Sequence, residues 1–192
     1  MVVPKPEVSY LDAITQGAWW LRYVPERLIS PEICLSAVTR NGGALSSVPE
    51  ELKTREICLA AIAQNGWALR FVPEVLKTPE FYRAAVTQNG LALRFVPEAL
   101  KTPEFYLVAI TQNGLALAHV HEGVKTAALC LTAVTQNGLA LAHVPHALKT
   151  TALCRAAVKQ NWRALAFIPR WLPGLCLAAM VCGFGILFIS YT

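Results

Sequence analysis

The chain repeats itself every 24 residues, and no other feature constrains its fold as tightly. The segment KTPEFYRAAVTQNGLALRFVPE, starting at Lys77, returns as KTPEFYLVAITQNGLALAHVHE, starting at Lys101. Without insertion or deletion, Asn41, Asn65, Asn89, Asn113, Asn137 and Asn161 share one phase. Leu45, Leu69, Leu93, Leu117, Leu141 and Leu165 share a second, Ala37 to Ala157 a third, and Pro25, Pro49, Pro73, Pro97, Pro145 and Pro169 a fourth. A fixed period of this size is the mark of stacked supersecondary units, none of which buries its apolar face alone. The first copy, DAITQGAWWLRYVPERL, joins in phase at Gln16 but lacks the Asn-Gly pair, as terminal repeats commonly do.

Each unit carries its own helix boundaries. Thr78-Pro79-Glu80, Thr102-Pro103-Glu104 and Ser30-Pro31-Glu32 each supply a capping hydroxyl and a proline whose missing N–H costs nothing at the first helical position. A carboxylate then faces the positive end of the helix dipole. Through PEFYRAAVTQ the spacing sets Phe81, Tyr82, Ala85 and Val86 on one face. Asn89-Gly90 is expected to end the helix in a left-handed cap. The remainder, LALRFVPEALK, is too short and too interrupted by Pro97 for a second α-helix, so one short helical or 3₁₀ piece is predicted there. The sum is an all-α fold, an α-solenoid of about seven repeats over residues 12–172, with a lead-in at 1–11 and an apolar segment at 173–192.

The stretch REICLAAIAQNGWALRFVPEVLKTPE, from Arg55 to Glu80 with Arg55 where the pattern has proline, resembles the tandem repeats of a family known as domain of unknown function 4116. The likeness runs over residues 6–172 on the motif A-V-x-Q-N-G-x-A-L-x-x-V-P-E-x-L-K. In period and plan the chain is also similar, more loosely, to leucine-rich repeat variant solenoids. The resemblance implies the repeat fold and no established activity.

With 55% hydrophobic and 15% charged residues, composition excludes a disordered coil. The net charge of +5 sits at one end. Residues 1–122 hold 11 basic and 12 acidic residues, whereas Lys125, Lys149, Arg155, Lys159, Arg163 and Arg170 follow with no acid among them. A nucleic-acid-binding solenoid is therefore a rival reading, weakened by the balanced charge of the longer part. From Trp171 to Thr192 no charged residue occurs. As a helix that segment would span about 33 Å, close to the roughly 30 Å hydrocarbon core of a bilayer. With a basic flank before it and Trp171 and Tyr191 near its ends, it reads as a membrane anchor holding an intracellular, cytosol-facing solenoid. Pro173-Gly174 shortens the apolar core, so a buried capping helix is the rival. MVVPKPEVSY has no continuous apolar core, and no signal peptide is expected.

Candidate chemistry sorts by phase. Cys34, Cys58, Cys130 and Cys154 share a position that Tyr82 and Tyr106 fill elsewhere, which argues for packing rather than disulfides or zinc. His119, His121, His143 and His146 occupy two adjacent copies and suggest a metal-dependent enzyme as a further alternative. Each, however, replaces a structural residue: His119 and His143 stand in the phase of Tyr23, Phe71, Phe95 and Phe167. Gln16, Gln64, Gln88, Gln112, Gln136 and Gln160 form an amide ladder suited to satisfying helix-end carbonyls, or to meeting a partner's backbone. No nucleophile-base pair, phosphate-binding loop or paired acidic motif occurs, and Asp12 is the sole aspartate. No enzyme, metal or cofactor is expected.

Recognition should fall on the phases that vary. Two residues after the Asn phase come Trp19, Gly43, Trp67, Leu91, Leu115, Leu139 and Arg163, and three further on Arg22, Ser46, Arg70, Arg94, Ala118, Ala142 and Ala166. Such columns are expected to face solvent, and Trp, Leu and Arg are residues that anchor protein interfaces. The candidate contacts are Trp19, Arg22, Trp67, Arg70, Leu91, Arg94, Leu115, Leu139 and Arg163, in a scaffold that binds another protein.

Overall fold

A computed structural model describes residues 18–169, with side chains from Leu21 onward. The segment 171–192 with its anchor and cap readings, the lead-in at 1–11, and the side chain of Trp19 lie outside the described residues. Among the described residues the secondary structure is helical throughout, and no helix is long and apolar enough to cross a membrane.

The chain is an all-α solenoid divided into two compact units, residues 1–112 and 113–192. In the first, α-helices Pro31–Arg40, Arg55–Gln64, Pro79–Gln88 and Pro103–Gln112 follow one another, each packed on the next. In the second, Ala127–Gln136 packs on Thr151–Gln160. The hydroxyls of Ser30, Thr54, Thr102, Thr126 and Thr150 accept the N–H three residues on, at 3.2–3.4 Å. Thr78 departs from the expected cap and makes no such bond.

Between α-helices the predicted single short piece is in fact two. A six-residue 3₁₀ helix, such as Gly66–Phe71 or Gly90–Phe95, is followed by a three-residue one, Glu74–Leu76 or Glu98–Leu100. Proline separates them: it cannot donate to the first, and its carbonyl opens the second by accepting the N–H of Leu76 or Leu100 at 3.0 and 2.9 Å.

The helix ends also differ from expectation. Asn89 is extended, with φ −146° and ψ 110°, and the same holds for Asn41, Asn65, Asn137 and Asn161. A left-handed cap would turn the chain back on its own helix. Here each Asn N–H instead closes the last α-helical turn while its side chain starts the next helix, Asn89 Oδ1 accepting the Leu91 N–H at 3.0 Å. One residue thus caps two helices, and the glycine after it serves another purpose: close approach. A Cβ on Gly66 would stand 2.5 Å from the carbonyl oxygen of Ala85 in the next repeat.

The core runs along the fixed phases. In the first unit Ala37, Ala61, Ala85 and Ala109, and Leu45, Leu69 and Leu93, are fully buried. In the second, Ala133, Ala157, Leu117 and Leu141 repeat the pattern. Alanine where one repeat meets the next lets backbones come close, and leucine fills the layer between them.

The glutamine ladder fastens successive repeats. Gln64 and Gln88 Oε1 accept the N–H of Gly42 and Gly66, each at 2.6 Å, and the Nε2 of Gln88 and Gln112 donate to the carbonyls of Gln64 and Gln88, each at 3.2 Å. In the second unit Gln160 accepts from Gly138 and donates to the Gln136 carbonyl at 3.3 Å. Gln88 and Gln160 each satisfy one orphan donor and one orphan acceptor at the helix ends of the preceding repeat. That is the structural one of the ladder's two expected roles.

Candidate functional site

The six-residue 3₁₀ helices carry the variable columns, and their geometry aligns them. With about three residues per turn, positions three apart eclipse, so Trp67 stands over Arg70 and Leu91 over Arg94. The second and fifth positions of each 3₁₀ helix therefore share one edge, while the glycine, alanine and leucine phases turn inward.

The two columns are not equally open, against the expectation that both face solvent. Arg22, Ser46, Arg70 and Arg94 in the first unit, and Ala118, Ala142 and Ala166 in the second, are exposed. Trp67, Leu91, Leu115 and Leu139 are half-buried, and among the described residues of that column only Arg163 is exposed. The N–H of this residue is tied to the side chain of the Asn two before it at Trp67, Leu91 and the exposed Arg163 alike. Trp67 meets the edge of Phe95 with ring centroids 5.5 Å apart and planes at 84°.

Sequence reading missed the rings beneath the guanidinium groups. Arg70 lies over Phe71 at 4.5 Å, Arg22 over Tyr23 at 5.8 Å, and Arg94 between Phe95 at 5.5 Å and Trp67 at 5.7 Å. In the second unit Arg163 lies over Trp162 at 5.7 Å. The signal was present in the dipeptides Arg22-Tyr23, Arg70-Phe71 and Arg94-Phe95, where an aromatic phase adjoins an arginine phase. Each stack is worth about 0.5–1 kcal/mol at an exposed site and biases the guanidinium toward that pose.

Four of the other cations in the first unit are used internally. Lys53, Lys77 and Lys101 pair with Glu50, Glu74 and Glu98 on their own turns, and Arg55 pairs with Glu80 of the next repeat. Arg70 and Arg94 form no ion pair among the described residues. In the second unit the same lysine phase reaches onward, Lys125 Nζ donating to the His143 carbonyl at 2.8 Å and Lys149 Nζ to that of Phe167 at 3.1 Å.

The histidines are not gathered. Among the described residues no three His, Cys, Asp or Glu side chains are placed to hold a metal ion. His121, standing where other repeats have proline, accepts the Gly123 N–H on Nδ1 at 3.2 Å, which makes it a helix cap. Partial loss of solvent, with Lys125 and Lys149 adding repulsion, holds the His143 imidazole below its ordinary pKa.

The cysteines behave as packing groups. Cys34, Cys58, Cys130 and Cys154 are free and fully buried, and burial raises the thiol pKa of each, that of Cys58 to about 11. Since the thiolate is the reactive form, these four should resist a thiol reagent at neutral pH until the chain unfolds. Peptide mapping after a brief alkylation pulse checks this; rapid labelling of any of the four in the native protein would contradict it.

No curated protein and no solved structure matches the chain. The sequence model of the family described as Domain of unknown function (DUF4116) matches twice in tandem, over residues 30–77 and 78–125. Each match takes in two of the 24-residue units and begins at the residue before a helix, Ser30 or Thr78. With half of its 192 residues matched and the same phases running on to Pro169, the chain belongs to the DUF4116 family of tandem repeats.

Proposed function

We propose that the chain is a non-enzymatic repeat scaffold that binds another protein through the 3₁₀-helical edge of its first unit. One observation carries this reading: Arg70 and Arg94 are exposed, held against aromatic rings, and paired with no carboxylate among the described residues. A guanidinium biased toward one pose before binding loses less entropy on docking, and Arg and Trp are the residues that most often dominate interface energy. Two grooves among the described residues, lined in part by Phe105 and Val108 and by Leu131 and Leu148, hold about 50 and 190 Å³. Neither reaches the roughly 300 Å³ at which small-molecule sites begin.

A photo-cross-linking residue placed at Ser46, on the same exposed column, should capture protein in cells. The same residue at Leu107, on the exposed face of the helix Pro103–Gln112, should capture far less. Capture from Ser46 should fall when Arg70 and Arg94 are both replaced by alanine. Equal capture from the two positions, or capture from Ser46 that ignores the arginine changes, overturns the assignment of the surface.

A further inference from the structure

Resting on that reading, we propose that the occupant of this edge is an extended acidic segment of a partner protein, with a carboxylate at every third residue. The chemistry of the two arginines sets the charge. A guanidinium lying over a ring still presents its N–H edge, and that planar fork matches a carboxylate in a two-bond pairing. Lys53, Lys77, Lys101 and Arg55 have such partners within the chain, whereas Arg70 and Arg94 have none among the described residues.

Spacing sets the pattern. Arg70 and Arg94 stand one repeat apart, and packed helices place adjacent repeats about 10 Å from each other. A polyproline II strand rises about 3.1 Å per residue, so every third residue advances about 9.3 Å and returns to the same side. Carboxylates at that interval meet successive guanidinium groups, and the two residues between them face Trp67, Phe71 and Phe95, rings suited to proline or other apolar side chains. Arg22 extends the column, with Ser46 in the place of one arginine.

A nucleic acid fits less well. Its charge is continuous along the backbone, and here exposed carboxylates, Glu74 and Glu98, follow four residues after the arginines. Discrete acids can be placed on the arginines and away from these glutamates.

The test uses the full chain and fluorescence anisotropy with three labelled probes. They are a peptide of five Glu-Pro-Pro triplets, a peptide of the same composition with its glutamates in one block, and an oligothymidylate of similar length. The triplet peptide should bind saturably, and the block peptide at least about fivefold more weakly. Replacing both arginines, Arg70→Gln with Arg94→Gln, removes the charge-assisted pairings and should weaken the triplet peptide at least tenfold. Arg94→Lys, which keeps the charge and loses the fork, should weaken it severalfold. Both positions are exposed, and an unchanged circular dichroism melt will show that the variants fold.

No saturable binding of the triplet peptide, equal affinity for the block peptide, indifference to the arginine changes, or tighter binding of the oligonucleotide overturns the proposal. If cross-linking from Ser46 still depends on the arginines in that event, the surface stands and the occupant's chemistry is wrong. If it does not, the surface itself is wrong.

Discussion

Replacing Gly66 with alanine is expected to destabilise the first unit by more than about 3 kcal/mol, beyond the usual cost of an overpacked core. The reason is a backbone contact and not a conformational one. The added Cβ would lie 2.5 Å from the Ala85 oxygen, 3.0 Å from Gln88 Oε1 and 3.2 Å from Asn89 Cβ. The Ala85 carbonyl accepts the Asn89 N–H at 2.8 Å and closes the helix Pro79–Gln88, so it cannot move aside without opening that helix. Gln88 cannot retreat either without giving up the Gly66 N–H. Gly43→Ala, one position further along the preceding 3₁₀ helix, is the control. Its nearest neighbour is the Asn41 side-chain oxygen at 3.0 Å, and the same phase holds Trp67 and Leu91 elsewhere. That change should shift stability by well under 1 kcal/mol, as surface substitutions usually do. Urea unfolding of both variants measures the difference; a Gly66→Ala protein as stable as Gly43→Ala would show that the repeats are not in the close contact described.

The boundaries of the α-helices were legible because they are written locally, in a hydroxyl residue before each helix, a proline at the first position of three of them, and an Asn after each, followed by Gly in all copies but the last. The period then carried them from Pro31 to Gln160. What stayed hidden depends on the neighbouring repeat. Asn-Gly is a common left-handed stop, and nothing within one unit says that Gly66 is there to admit the Ala85 carbonyl. The inward lean of Trp67 is also a contact between repeats, made with Phe95 of the next copy, so variability alone misplaced its column in solvent. Gln88 shows the opposite case. A polar phase kept through most copies suggested a structural role, and its bonds to Gly66 and Gln64 across the repeat boundary are that role.

Leu93→Ala should cost the first unit about 2–5 kcal/mol, the range for emptying a leucine-sized space in a packed core. Leu93 is fully buried, on a 3₁₀ helix packed against both Pro79–Gln88 and Pro103–Gln112. Those neighbours are held at fixed spacing by Gln112, whose amide is bonded to the Gln88 carbonyl, so they cannot collapse freely into the cavity. Leu165 occupies the same phase in the second unit but is only half-buried, and Leu165→Ala should cost less than half as much. Because repeat stability is the sum of local terms and neighbour contacts, the damage from Leu93→Ala should also be spatially limited. Native-state hydrogen exchange should show the amides of the helices Pro79–Gln88 and Pro103–Gln112 losing protection first, with those of Thr151–Gln160 keeping theirs under mild conditions. A uniform loss of protection across both units would mean that the chain unfolds as one cooperative body and not as stacked modules. Equal costs at Leu93 and Leu165 would mean that burial in the leucine layer is not what stabilises the repeats.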